Sequence, residues 1–505
     1  MENKDTQLNG KRILIFQQRN WAKSIGHFLA EQLHAQGCQL AAWTMKPTTH
    51  QFIIEQKTVP YQLVINDDEV LNDPEKFITS STPSLTEICR ELGVDSVWPF
   101  VSTIRNYVKS YGQKYYYSFN KNVSDEQMVA YVRAVYGYLK RFFDEFKPDV
   151  ILAPNFVVLP HIFCNLMAQK RGIPMIAVTD SKIQGQFIFT YGYQDDRGPF
   201  FDRFKQLQGG ARSENQQRAA KYIEEFCWQF KQPDHAIKEH SESFYKKIRH
   251  ELAPYYHSFR WILSRPKNYL PSLGPTIDYR PPRVLLRDHY RQKQYRRFAQ
   301  RFRYADFKSV SRYVYFPLQF QPEASIDVVA PFFNNQIETA RQVAMSLPDD
   351  YTLVVKEHPA MVGLRTPGFL KKIVGLPNVK LIDYRISSHD ALRHAAAVVS
   401  PGATTVAEAA ILKIPAIQLG DLGITAQLPN VIVHREMPTL SAAIKKALAI
   451  EFDQHYEQQL ENFVAAVYDT GFDFRYTTVW AKGKGDDYGE LWRLYRQEII
   501  HALQK

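Results

Sequence analysis

The sequence predicts an α/β protein with two Rossmann-like domains that face each other across a cleft and a helical, basic insertion between them. The chain has 505 residues, which is more than one ordinary hydrophobic core holds. Short apolar runs alternate with helical spacing in the first part of the chain and again in the last, whereas the stretch between them is aromatic and basic. The expected parts are an N-terminal domain (1–190), the insertion (191–308), a C-terminal domain (309–480) and a last helix that packs back on the N-terminal domain (481–505).

Strand and helix patterns alternate in the first half. Repeated units of this kind need a parallel sheet that is covered on both faces. The loop after the first strand, QQRNWAKSIGH, lacks the GxGxxG fingerprint, so we expect substrate contact there rather than tight dinucleotide binding. The predicted strands are Arg12–Gln17, Gln39–Thr44, Val150–Ala153 and Ile173–Thr179, and the predicted helices are Ser24–Gln36, Ser124–Phe146 and Pro160–Lys170.

A second alternating series follows the insertion. It opens with the apolar run RYVYFPLQF from Arg312, and its strands are again short and rich in β-branched residues. Residues 184–308 break the alternation and predict helices. The predicted strands of the series are 312–320, 351–356, 379–382, 397–400 and 416–419, and the helices are 334–346, 367–373, 389–394, 404–412 and 488–503.

Composition narrows the class of protein. Lysine and arginine number 63 against 52 acidic residues, a formal net charge of +11, and such an excess indicates anionic partners. With 45% hydrophobic and 23% charged residues, the chain is typical of globular proteins, and its apolar runs are too short to cross a bilayer. The polar start predicts no secretory signal, so a cytoplasmic location is expected. Four cysteines without CxxC spacing predict neither a zinc site nor a disulfide framework.

A histidine motif follows the strand YTLVV. It reads Lys356-Glu357-His358-Pro359, and it lies where open α/β sheets bind ligands. A histidine held by the following proline can donate to a phosphate oxygen and help a nucleotide depart. Glu357 could bind a ribose hydroxyl or balance Lys356. The alternative is a histidine with a purely structural role.

A second motif, SPGATT, follows the strand AAVVS and opens a helix. The amide groups at a helix start, with Gly402 allowing close approach and the Thr404 and Thr405 hydroxyls as added donors, suit a phosphate. Ser400 begins this turn, and Glu408, one turn into the helix, could accept from ribose hydroxyls. The alternative is an ordinary N-cap by a threonine. We expect this turn and the histidine loop to follow neighbouring strands and to share one phosphate.

A third loop, PLQFQPEAS, follows the strand RYVYF. Its Gln319 amide and its backbone could shape a base or sugar pocket, although a turn closed by Pro322 explains the composition nearly as well.

The runs FPLQFQPEAS, VVKEHPAMVGLR and VVSPGATTVAEAAILKIPAIQLG, between Tyr313 and Gly420, resemble the C-terminal domain of the capsule polysaccharide biosynthesis family, which includes the bacterial Kdo transferases. This resemblance implies a two-domain GT-B fold and transfer of an acidic, Kdo-like sugar from a nucleotide donor, usually CMP-linked, to a glycan or glycolipid acceptor without a separate cofactor. It also implies phosphate contacts at His358 and the SPGATT turn, with Glu408 beside the nucleotide. Where many relatives have an aromatic residue before the helix glutamate, this chain has Val406-Ala407.

The acceptor and a catalytic carboxylate are expected at strand ends of the N-terminal domain. Asp180, directly after the strand IPMIAVT, is the first candidate for nucleophile or general base, against the alternative of a turn or cap residue. Since no DxD-like pair lies on a suitable loop, no metal is expected. Candidates for contacts to a sugar carboxylate are Arg19, Lys23, His161 and Lys182.

The basic, aromatic stretch from Arg283 to Arg303 could contact the anionic lipids on the inner face of the cell membrane. It has no RRM or zinc-finger spacing, so no nucleic acid is expected, and a solvated helix face is the simpler alternative. Two other functions stay open from the sequence. One is a polyol-phosphate transferase or nucleotide-sugar epimerase on the same fold; the other is a non-catalytic protein that binds membranes or nucleic acid.

Overall fold

The computed structural model describes residues 7–107, 121–228, 244–264, 269–348, 350–473, 476–482 and 488–505. Within these residues the strands form two six-stranded sheets, ordered β3-β2-β1-β4-β5-β6 and β12-β11-β10-β7-β8-β9. Both sheets therefore have the doubly wound 3-2-1-4-5-6 order when strands are counted from the start of each domain, and the predicted fold class is confirmed. The strands are β1 Arg12–Gln18, β2 Gln39–Met45, β3 Tyr61–Asn66, β4 Val150–Leu152, β5 Met175–Asp180, β6 Phe187–Thr190, β7 Tyr313–Pro317, β8 Thr352–Lys356, β9 Val379–Ile382, β10 Ala397–Ser400, β11 Ala416–Gln418 and β12 Val431–Val433.

Helices connect the strands and cover both sheets. The predicted Ser24–Gln36 helix begins earlier than expected, at Arg19, and contains one π-helical turn over Ala22–Gly26. The α-helices are α1 Arg19–Trp21, α2 His27–Ala35, α3 Pro47–Glu55, α4 Asp67–Asn72, α5 Leu85–Leu92, α6 Trp98–Val101, α7 Asp125–Glu145, α8 Leu159–Lys170, α9 Pro199–Gln208, α10 Gln216–Trp228, α11 Phe244–Ser264, α12 Pro282–Arg301, α13 Ala324–Asp327, α14 Gln336–Met345, α15 Pro367–Val374, α16 Ser388–Arg393, α17 Thr404–Ile411, α18 Leu440–Leu448, α19 Gln454–Thr470, α20 Tyr476–Lys482 and α21 Tyr488–Gln504.

The central strands are apolar along their whole length because both faces of each sheet are covered. In β1, the residues from Ile13 to Phe16 have no exposed surface, and the strand pairs in parallel with β2 and β4. Successive residues of β7 point to opposite faces. Val314 and Phe316 therefore belong to one core cluster, whereas Tyr313 and Tyr315 belong to another.

The sequence reasoning missed strands at the edges of the sheets. β3, with the sequence YQLVIN, pairs in parallel with β2, and β6 pairs antiparallel with β5. β12, the short edge strand VIV, is only half-buried. Edge strands are short and less apolar, so their patterns are weaker than those of central strands.

The last helices return the chain to the N-terminal domain. Helix α19 packs against α9 and α10 of the insertion. In α21, Leu491, Tyr495 and Ile499 are buried in the cluster that contains Ile13 of β1. The indole nitrogen of Trp21 donates a 2.8 Å hydrogen bond to the hydroxyl of Tyr476 in α20.

The described part of the insertion is helical. Helices α11 and α12 pack against each other, while residues 229–243 and 265–268 of the predicted insertion lie outside the described residues. None of the described helices combines the length and apolarity that crossing a membrane requires.

Candidate active site

A deep cleft lies where the strand order reverses in both sheets. In the C-terminal sheet this point falls between β7 and β10, and in the N-terminal sheet between β1 and β4. Doubly wound sheets bind ligands at these positions because the loops on either side diverge and leave a crevice. One cavity of about 930 Å³ is lined by residues from both domains, so a ligand there would contact both.

The SPGATT turn forms one side of the cavity. Gly402 has a φ of 146°, a backbone conformation that favours glycine, and a Cβ at this position would lie 3.3 Å from Leu422 Cβ. Helix α17 begins at Thr404, and its N-cap is Ala403 rather than a threonine. The amides of Thr404 and Thr405 therefore lie at the positive end of the helix dipole beside the cavity.

Ser400 lies beneath the surface of the cavity and stabilises this turn with a hydrogen bond. The residue has no exposed surface, does not line the cavity, and its hydroxyl accepts a 3.3 Å hydrogen bond from the Gly402 amide. The predicted nucleotide contact at Ser400 therefore does not match its position. Gly402, Thr404 and Thr405 line the cavity as expected.

His358 lines the same cavity from the loop after β8. Its Nδ1 accepts a 3.2 Å hydrogen bond from the Ala360 amide, so the ring proton of the neutral imidazole is on Nε2. The Phe320 ring packs 5.8 Å from the imidazole, and Pro359 also lines the cavity. The expectation of neighbouring strands was wrong, because β7 lies between β8 and β10. The histidine loop and the turn at Gly402 instead flank the carboxyl end of β7.

A buried ion pair holds these loops together. Glu357 and Arg365 have side chains only 3% exposed, with 2.9 Å between Arg365 Nε and Glu357 Oε2. Glu357 Oε1 also accepts from the His358 amide at 2.8 Å. Arg365 Nη2 donates to the Gln319 carbonyl at 2.6 Å, and Gln319 Nε2 donates to Ser400 Oγ at 3.4 Å.

The ion pair changes the roles expected of two residues. Glu357 touches the cavity, but its carboxylate is used by Arg365 and does not balance Lys356 by direct contact. Gln319 likewise uses its amide within the protein, to connect the loops after β7 and β10. Sequence reasoning gave no role to Arg365, although this residue ends the run VVKEHPAMVGLR, because nothing in the sequence shows that it pairs with Glu357.

Lys356 and Glu408 form the polar floor of the cavity. Burial lowers the pKa of Lys356 to about 8 despite the nearby acidic groups, and its Nζ donates to Ser388 Oγ at 3.2 Å. Burial also raises the pKa of Glu408 to about 7, against the opposing charge of Lys356. Near neutral pH, Glu408 can therefore accept or donate a hydrogen bond at this floor.

Asp180 ends β5 on the opposite wall. Its side chain is 52% exposed, and its Oδ2 lies 3.6 Å from Nζ of Lys182, whose side chain is 14% exposed. The Lys182 amide also donates to Asp180 Oδ1 at 2.9 Å. Both side chains line the cavity, so a solvent-accessible carboxylate and a cation face the C-terminal loops.

A second cluster of charged side chains lies on this wall, and of its members only Arg19 was predicted from the sequence. Arg19 Nη2 and Lys46 Nζ each lie 2.9 Å from a different oxygen of Asp278. Burial favours the neutral form of Asp278, but the two cations outweigh it and lower its pKa to about 2. The Tyr279 hydroxyl and the Lys46 amide both donate to Asp68. Lys46 follows β2 and Asp68 follows β3, so their positions after strands could have identified them as candidate site residues.

Arg105 adds a third cation to this wall. Its guanidinium lines the cavity, and its Nε is buried with no hydrogen-bond partner among the described residues. Together with Arg19 and Lys46 it faces the C-terminal site, and we call these three side chains the cationic wall.

Two Rossmann-like domains that face each other across a cleft constitute the GT-B fold, and this chain has the GT-B fold. No protein-family model and no curated protein matches it. Among solved structures, it is similar to the calicheamicin glycosyltransferase CalG4, with 14% identity, 95% of this chain and 99% of that chain covered, and a TM-score of 0.27.

Two other solved structures have the same level of similarity. The β Kdo 2,7 transferase KpsC of Thermosulfurimonas dismutans is 14% identical, with 65% of this chain and 79% of that chain covered and a TM-score of 0.33. The UDP-GlcNAc 2-epimerase of Methanocaldococcus jannaschii is 12% identical, with 88% and 94% covered and a TM-score of 0.24. Identities and TM-scores this low carry no information on the reaction.

Two of the predicted substrate contacts lie outside the GT-B cleft. His161 has no exposed surface, and burial lowers its pKa to about 3. It therefore stays neutral in the core, with its ring centroid 4.7 Å from that of Phe16 in an edge-to-face arrangement. Lys23 is exposed in the π-helical turn over Ala22–Gly26, with Nζ 5.7 Å from the centre of the Phe52 ring. Neither side chain lines the cavity, which corrects the expectation for both.

Two further buried carboxyl groups, Asp67 and Asp195, also line the cavity. Burial and the neighbouring Asp68 raise the pKa of Asp67 to about 7, and the Tyr131 hydroxyl donates to it. Burial raises the pKa of Asp195 to about 6. In the described part of the chain, no cluster of three or more His, Cys, Asp and Glu side chains has the arrangement to hold a metal ion.

Proposed function

We propose that the chain is a glycosyltransferase that moves an acidic, Kdo-like sugar from a CMP-linked donor to a surface polysaccharide or a lipid-linked glycan. The observation that carries this proposal is the convergence of His358 and the first turn of α17 on one cavity, from either side of β7. Opposite them, the N-terminal domain presents the cationic wall and Asp180.

The donor phosphate fits between the histidine loop and α17. The amides of Thr404 and Thr405, the positive end of α17 and the Nε2–H of His358 are donors suited to one phosphate group. These donors converge on a space for one phosphate group, which supports a nucleoside monophosphate donor.

The nucleoside fits against the polar floor. Glu408 can accept hydrogen bonds from ribose hydroxyls. Lys356 beside it is a hydrogen-bond donor, and its charged form is stabilised by the acidic residues nearby and by its hydrogen bond to Ser388. Both groups are nearly fully buried, and hydrogen bonds from a nucleoside to them are strengthened by the low local dielectric.

The cationic wall suits the carboxylates of an acidic sugar. Arg19 and Lys46 share the carboxylate of Asp278, and Asp68 also lies near Lys46. Arg105 has an Nε without a hydrogen-bond partner among the described residues. Guanidinium groups bind carboxylates in a fork geometry. A neutral sugar would make no use of this charge.

The transfer step follows from the two walls. The acceptor hydroxyl oxygen bonds to the anomeric carbon while the bond from that carbon to the phosphate oxygen breaks, and CMP leaves with the electron pair. Asp180, an accessible carboxylate on the N-terminal side of the cleft, takes the proton of the acceptor hydroxyl. His358 and the α17 amides stabilise the charge that develops on the departing phosphate, and closure of the cleft aligns the reacting atoms.

The test combines binding and turnover. At one hundred times its Kd, CMP should raise the melting temperature by roughly 5 °C, whereas UDP should not. The His358→Ala variant should lose transfer from a CMP-linked acidic sugar, whereas His455→Ala, at an exposed position on α19, should keep it. Full transfer by His358→Ala, stabilisation by UDP alone, or release of an epimerised donor without transfer would each contradict the proposal.

A further inference from the structure

Helix α11 carries its large apolar side chains on its solvent side. Their exposed fractions are high, with Ile262 and Leu263 at 68% and Phe259 at 61%. Their spacing of three and four residues puts them on one helical face about 120° wide, at 100° per residue. We call this face the apolar row, and its members are Ile248, Leu252, Tyr256, Phe259, Ile262 and Leu263.

Helix α11 is held to α12 through small and polar groups along one edge of the apolar row. Ser258 is buried, and Glu251 pairs with Lys293 of α12. The Tyr255 hydroxyl lies 2.6 Å from that of Tyr290 in α12. A surface helix normally turns its apolar side chains to the core. Helix α11 instead leaves most of the apolar row exposed, and such faces mark contacts with a partner or a membrane.

The charges beside the apolar row select the partner. At 100° per residue, Arg249 and Arg260 border the row, and the Arg260 guanidinium packs 5.9 Å from the Tyr256 ring. The neighbouring α12 has seven arginine and lysine residues against one aspartate. Apolar and aromatic side chains framed by cations are the pattern of helices that lie in the interface of an anionic bilayer.

We infer that α11 is a membrane-binding helix that inserts its apolar row into the headgroup region of an anionic lipid bilayer. The basic residues of α11 and α12 then contact the lipid phosphates, with their stems along the apolar surface. The sequence pointed to residues 283–303 for this contact. The structure shifts its centre to α11, because α12 contributes charge but its apolar Val284 and Ala299 are buried. The inference does not depend on the proposed reaction.

Sedimentation of the full chain with phosphatidylglycerol–phosphatidylcholine vesicles tests the inference. We expect binding that weakens as salt is added. The Phe259→Ser/Ile262→Ser/Leu263→Ser variant should reduce the vesicle partition constant by at least about tenfold, because three apolar side chains no longer insert. The matched control Ile54→Ser/Met345→Ser/Val374→Ser removes apolar side chains that are 58%, 66% and 46% exposed elsewhere, and it should bind as the unchanged chain does.

A second variant tests the charge contribution. Arg249→Glu/Arg260→Glu should reduce partition into anionic vesicles by about tenfold or more, and it should leave the melting temperature unchanged because both side chains are exposed. Absence of vesicle binding by the unchanged chain, or equal binding by the triple variant of the apolar row, would overturn the inference. So would a dimer in light scattering that the same triple variant converts to a monomer, since the apolar row would then bind a second copy.

Discussion

Replacing Arg365 by methionine should weaken both the C-terminal domain and its ligand site. Methionine keeps an unbranched apolar stem but has neither the charge nor the donors that reach Glu357 and the Gln319 carbonyl. Both charged side chains are 3% exposed, so Glu357 would be left as an unpaired buried carboxylate. Breaking a buried pair in this way costs about 3–5 kcal/mol. The loops after β7 and β8 would also lose their common tether.

Urea unfolding followed by fluorescence measures the loss, and the double variant Glu357→Gln/Arg365→Met provides the control. Removing both charges should recover most of the stability, because a buried pair and its neutral replacement often differ little in free energy. The single variant should also lose most of the stabilisation by CMP, since Glu357 positions the His358 amide. A loss below about 1 kcal/mol for Arg365→Met is what an exposed pair would give, and it would refute the argument that this pair is buried and holds the site together.

Three further substitutions test other parts of the cleft. The pKa of Glu408 is raised by burial from an ordinary 4.5 to about 7, so its contribution to stability is present below pH 4.5 and is lost as the pH rises to about 7. The stability of the unchanged chain should therefore fall by about 2–3 kcal/mol relative to Glu408→Gln between pH 5 and pH 7.5, and parallel curves in urea titrations would contradict this. Gly402→Ala should lower the free energy of unfolding by about 1–3 kcal/mol because of the positive φ, and it should weaken CMP binding in calorimetry. The control is Gly210→Ala, at a residue with a φ of 94° and open space around it, which should lose similar stability without a change in CMP binding. Lys46→Met should raise the pKa of Asp278 and the KM for an acidic substrate but not the Kd of CMP, and an unchanged KM would exclude Lys46 from substrate binding.

The sequence predicted the central strands and the C-terminal loops because each leaves a local pattern. Buried parallel strands give continuous apolar runs, and Gly402 is a residue that a turn with a positive φ requires. The edge strands β3 and β12 lacked such runs, so the polar residues after β3, including Asp68, were not recognised as strand-end residues.

The contacts that connect distant parts of the chain were not predictable from local patterns. Arg365 pairs with Glu357 only because the loop after β8 folds back over the sheet, and Asp278 meets Arg19 across 259 residues of sequence. The burial of His161 was not predictable for the same reason. Position at a helix start suggested access to substrate, whereas the packing of α8 against β1 places the imidazole in the core.

The most direct test of the account is the position of the phosphate in a crystal structure of the chain with CMP. We expect the phosphate to lie between the His358 Nε2 and the backbone amides of Thr404 and Thr405, with the ribose hydroxyls at Glu408. A phosphate bound elsewhere in the cleft, such as between the loops after β1 and β4 of the N-terminal sheet, would contradict it.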